Sequence, residues 1–138
     1  MLKNEKRYLY QADMYEYTLE VIFTSNVKRS LTSLYKRWDI KEEVFDCEGC
    51  TVTDEDDNSR YGLIFRYKDL TDNLISHECQ HLSAFILDDR NIDLAGGRDD
   101  YENLAWLNGL LNDLVRQIIE KEGIEVHQTK MISRFKKL

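Results

Sequence analysis

A chain of 138 residues that is 42% hydrophobic and 33% charged has the size and composition of one folded domain, residues 1–138, able to bury a core. Its formal net charge of -7 and pI near 5.0 argue against nucleic acid as a partner, because phosphate binding needs concentrated Lys and Arg. No apolar run approaches the roughly 18 residues of a membrane span, and the opening MLKNEKRYLYQADMY has no apolar stretch of a secretory signal. A cytoplasmic location without membrane contact is therefore expected. Cys47, Cys50 and Cys79 make an odd count in such a chain and read as reduced thiols.

In chain order, Arg7 to Thr24 is rich in Tyr, Leu, Val, Ile and Phe and reads as one strand or two, the latter as a hairpin turning near Ala12 to Met14. Ser25 or Asn26 can cap a helix to about Trp38, with Val27, Leu31, Leu34, Tyr35 and Trp38 at helical spacing. Val44-Phe45 and Cys50 to Thr53 look extended, and Asp54 to Ser59 is a solvated acidic loop. Tyr61 to Tyr67 is the clearest strand. Thr71 or Asp72 starts a helix to about Asp89, Asn91 to Arg98 is a loop, and Asp99 or Asp100 starts a last helix that Gly123 stops after Glu122. Ile124 to Val126 suggests a short strand, and residues 130–138 a flexible basic tail. The fold class is α+β, a small sheet packed against helices.

The second of these three helices carries His77-Glu78-Cys79-Gln80-His81, an HExxH pattern. Residues four apart share one helical face, so both imidazoles can converge on one metal ion with Glu78 beside them. At 100° per residue His77, Glu78 and His81 fall on an arc with Leu74, Leu82, Phe85 and Ile86, while Asn73, Ser76, Gln80 and Ser83 form the opposite, polar side. The bland alternative is a fortuitous pattern in which the three side chains satisfy one another at a core edge.

A catalytic zinc ion usually takes three protein ligands. His127 is the one other histidine, 46 residues past His81, and the metzincin continuation is missing. Glu102, in the first turn of the next helix, is the preferred third ligand, with Asp99 and Asp100 as fallbacks. Its alternative role is the far member of an Asp99-x-x-Glu102 capping box.

The run HECQHLSAFILDDRNIDLAGGRDDYENLAWLNGLLNDL resembles small zincin-like proteins of tailed phages and prophages, over roughly residues 61 to 120. The spacing of its last Glu is similar to the gluzincin arrangement. The resemblance implies a zincin-like fold, Zn2+ held by His77, His81 and Glu102, and Glu78 as general base. Trp106 stands where some larger gluzincins place an Asp that supports a ligand histidine.

The chemistry expected is peptide or amide hydrolysis on a peptide or protein substrate. In many zincins the strand before the motif helix lines the cleft and pairs with extended substrate, a place that Tyr61 to Tyr67 occupies here, although the segment reads first as an ordinary core strand. Tyr61, Arg66, Tyr67 and Tyr101 are candidate oxyanion donors. Cys47-Glu48-Gly49-Cys50 is a lone CxxC, read as two unremarkable thiols. The competing function is a non-catalytic zincin-fold protein that binds metal for structure or serves in assembly.

Overall fold

The computed structural model describes residues 4–92, 98–129 and 136–138, without the side chains of Asp99 and Asp100. The expected loop centred on Gly96-Gly97 and most of the expected basic tail lie outside the described residues.

Among the described residues the protein is α+β, with a four-stranded mixed sheet and three α-helices. Strands β1 (Glu5–Ala12) and β2 (Tyr17–Thr24) form the hairpin, and its turn bends through Tyr15 and Glu16, both at positive φ. Helix α1 (Val27–Trp38) follows, capped by Asn26, whose side chain accepts the Arg29 amide. Its last turn closes on Asp39 in the left-handed region, with Ile40 N–H bonded back to Tyr35 O. Strands β3 (Gly49–Thr53) and β4 (Arg60–Arg66) come next, the latter running into a single 3-10 turn. Val44-Phe45, expected to be extended, belongs to no strand.

The strand order is β1-β2-β4-β3, with β2 and β4 parallel at the centre and antiparallel pairs on both sides. The two central strands read as near-continuous apolar runs because both faces of the sheet are covered. Tyr17, Leu19, Val21 and Phe23 of β2 join Tyr61, Leu63 and Phe65 of β4 on one face, under α2 (Asp72–Asp89) and α3 (Arg98–Glu122). Ile22 and Ile64 turn the other way and pack with Leu31 and Leu34 of α1. Gly62 is needed on that side, because a Cβ there would meet Leu34 at 3.1 Å and Val52 at 3.3 Å.

Helix α2 begins at Thr71, whose side chain accepts the Leu74 amide. Its other end is fastened by Arg90, which donates to the carbonyls of Tyr15, Glu16 and Asn58. Helix α3 stops at Gly123, which takes φ +65, and Ile124 N–H reaches back to Ile119 O. The expected strand at Ile124 to Val126 is not formed. One parallel bridge joins His127 to Thr71 instead, with His127 N–H donating to Leu70 O at 2.7 Å.

The acidic segment before β4 is tied down more than its composition suggests. Asp54 is buried and paired with Arg60 at 2.6 Å, and the Arg60 guanidinium also lies over Trp38. On the α1 face Glu20 accepts from both Arg7 and Arg37. Among the described residues no helix is long and apolar enough to cross a membrane.

Leu31→Ala should destabilise the fold by about 2–5 kcal/mol, since it empties the α1 layer. The readout is a lowered urea midpoint at unchanged slope, and a midpoint identical to the parent would refute the packing of α1. A second expectation concerns acid. Burial raises the Glu20 pKa, but the hydrogen bonds and charges of Arg37 and Arg7 outweigh it and hold the carboxyl below its usual 4.5. A folded pKa below the unfolded one gives stability that is complete above the unfolded value and is lost as pH falls through the folded value. Glu20→Gln should therefore flatten the acid limb of the stability curve, and a limb as steep as the parent's would exclude this pair as its source.

Candidate metal centre

His77 and His81 lie one turn apart on α2 with their Nε2 atoms 3.1 Å apart and their rings nearly perpendicular. Phe85, one turn further, stacks on the His81 ring. Glu78 joins them: among the described residues, His77, Glu78 and His81 form the group of metal-ligating atoms that lie within 4.8 Å of one another. Both histidines are exposed, whereas Glu78 is only 6% exposed.

The donor set and spacing suit a metal ion. Two nitrogens about 2.0–2.1 Å from one zinc at the tetrahedral angle are about 3.4 Å apart, a few tenths of an ångström from the separation here. The same separation serves one N–H···N hydrogen bond between neutral rings when no ion is bound.

The arrangement corrects the helical-wheel expectation. The buried arc of α2 is centred on Ile75, Cys79, Leu82 and Ile86, and the two histidines stand outside it. Ser83, expected on the solvated side, is fully buried and bonds back to Cys79 O at 2.7 Å. The wheel was misleading because α2 is covered on two flanks. One meets α3, through Asp72 with Arg116 and Ser76 with Asn112. The other meets β3, where Thr51 Oγ1 donates to Glu78 O at 3.0 Å and lies 3.4 Å from Glu78 Oε2.

Glu102 is not brought to this cluster. It is exposed in the first turns of α3. The Asp72–Arg116 and Ser76–Asn112 cross-links set the register of the antiparallel pair and place Glu102 level with Ile86. That is five residues, about 7.5 Å, beyond His81 along the axis. The fallback carboxylates Asp99 and Asp100 lie outside the described side chains. His127 is bridged to Thr71 at the start of α2 and is also outside the cluster.

The four candidate oxyanion donors are engaged elsewhere or face solvent. Tyr61 is buried with its hydroxyl on Asn58 O and Asp89, Tyr67 stacks on Phe23, Arg66 is held by Asp69 and Asp46, and Tyr101 is exposed on α3. Tyr61 to Tyr67 is the ordinary core strand it reads as, and not one that lines a cleft. Strand β4 is hydrogen-bonded on both sides, by β2 and β3, so its backbone offers nothing to an incoming chain. The edge strand beside the cluster is β3.

A cavity of about 350 Å³ opens against His77 and Glu78, walled by Glu48, Gly49, Thr71, Asn73 and Leu74. The nearness of Thr51 and Glu48 depends on β3 being the edge under α2, which the sequence does not show, whereas Asn73 stands one turn before His77 on the same helix and is within reach of helical spacing. Cys47 and Cys50 are free, their thiols within hydrogen-bonding reach of each other, and burial pushes both pKa values up. Cys79, deep in the core, is pushed up to about 12 by burial. The chain matches no family model, no curated protein and no solved structure.

On this geometry Glu102→Ala should leave zinc content unchanged, measured by elemental analysis after gel filtration of the zinc-loaded protein. A loss of half the bound metal would show that the first turn of α3 closes on the histidines.

Proposed function

We propose that the protein is a zinc-dependent, peptidase-like hydrolase of zincin type, in line with the resemblance of residues 61 to 120 to phage and prophage zincin-like proteins. The observation that carries this reading is the pair of Nε2 atoms 3.1 Å apart with a buried carboxylate in the same cluster. His77 and His81 would hold the ion. A bound zinc would supply its Lewis acidity, making water acidic enough to ionise near neutral pH. Glu78 takes a proton from the attacking water and returns it to the leaving amine. Thr51, from β3, holds the helix turn that carries Glu78 through its hydroxyl on Glu78 O.

The free edge of β3 supports a peptide as substrate, because an extended chain can add to an unpaired strand edge through main-chain hydrogen bonds. A second reading follows from the count of ligands. With Glu102 outside the cluster, Glu78 is the third ligating group at hand, and a His-Glu-His site of that kind would serve structure or assembly rather than hydrolysis.

One variant separates the two. Glu78→Gln should keep zinc at the parent's stoichiometry and reduce hydrolysis of a mixed peptide substrate at least a hundredfold, the lower end of the roughly 10²–10⁴ range for a general base. Zinc lost from Glu78→Gln would establish the carboxylate as a ligand and favour the structural reading. His81→Ala should lose the metal, and a parent that retains no zinc would sink both.

A further inference from the structure

We infer that the cavity beside His77 and Glu78 is a subsite for a cationic side chain, Arg or Lys, and that Glu48 selects it. The inference rests on the peptidase reading for the guest being a peptide side chain, and on the geometry of the cavity for its charge. The volume, about 350 Å³, is at the low end of ligand pockets and suits one side chain rather than a whole small molecule.

Its walls carry two carboxylates, Glu48 and Glu78, and no Lys or Arg. The cation near this rim, Arg66, is already shared by Asp69 and Asp46, and among the described residues Glu48 makes no ion pair. Glu78 is nine-tenths buried and opens on the cavity, with only the 3.4 Å contact from Thr51 on its carboxylate. Two carboxylates on a wall with no cationic side chain favour a guest that brings a positive charge.

The remaining walls suit a long basic side chain. Leu74 gives an apolar surface for methylene groups, and the Thr71 hydroxyl and Asn73 amide offer polar contacts at the rim. A carboxylate-bearing guest would meet two like charges.

The test is a titration of the full-length, zinc-loaded protein with Nα-acetylarginine amide and Nα-acetylnorleucine amide, followed by amide NMR shifts. The arginine derivative should bind at least tenfold more tightly, with saturable shifts at Glu48, Gly49 and Leu74. Glu48→Gln should abolish the difference while leaving the fold unchanged by circular dichroism. Equal affinities, shifts centred elsewhere, or a Glu48→Gln variant that keeps the preference would overturn the subsite. Assaying the same zinc-treated parent for bound metal and for peptide hydrolysis separates the two proposals: an arginine preference in a protein that retains no zinc and cleaves no peptide would defeat the peptidase reading and leave the subsite standing.

Discussion

Helix α2 lies against β3 where Gly49 presents no side chain. A Cβ there would meet Ile64 O of the neighbouring β4 at 3.0 Å and the Leu74 side chain of α2 at 3.3 Å, so a larger residue would press on the sheet backbone and displace the end of Leu74. That approach lets the Thr51 hydroxyl reach Glu78 O at 3.0 Å. The helix turn that carries Glu78 is thus tied to an edge strand 27 residues earlier in the chain. The other flank of α2 is fixed by α3, so the helix has no freedom to rotate the two imidazoles toward the core.

Much of this fold was legible in the residues. The hairpin, the caps at Asn26 and Thr71, the stop at Gly123 and three helices within a residue or two of their bounds follow from local chemistry. What local chemistry cannot show is which strand is the edge. Tyr61 to Tyr67 is the most apolar strand because it is central, and the same apolarity that made it conspicuous removes it from contact with a substrate. The modest strand β3, half-buried and carrying two threonines, is the one beside the histidines.

The candidate site shows the same division. The pairing of His77 with His81 follows from helical spacing alone, and the structure has their nitrogens at ligand distance. The proposal of Glu102 needed the register of two helices, which the sequence does not encode locally. Asp72 with Arg116 and Ser76 with Asn112 fix it, and they slide the first turn of α3 past the histidines. Ser83 made the wheel look amphipathic in the wrong direction, because a serine that bonds back to its own helix is as readily buried as an alanine.

Both ends of α2 are anchored without any metal. At its start the bridge from Thr71 to His127 ties it to the segment after α3, and at its end Arg90 clasps three carbonyls from the hairpin and the approach to β4. Arg90 does this with planar, forked donors and no opposing carboxylate, so the clasp has a geometry that a lysine could not reproduce. The helix therefore behaves as a beam fixed at both supports, and the spacing of the two imidazoles is set by protein contacts alone. In small zinc-nucleated domains the metal and the fold are one equilibrium. On the reading proposed above the two would be separable, and an ion held by these imidazoles would come and go while the scaffold that aims them stays as it is.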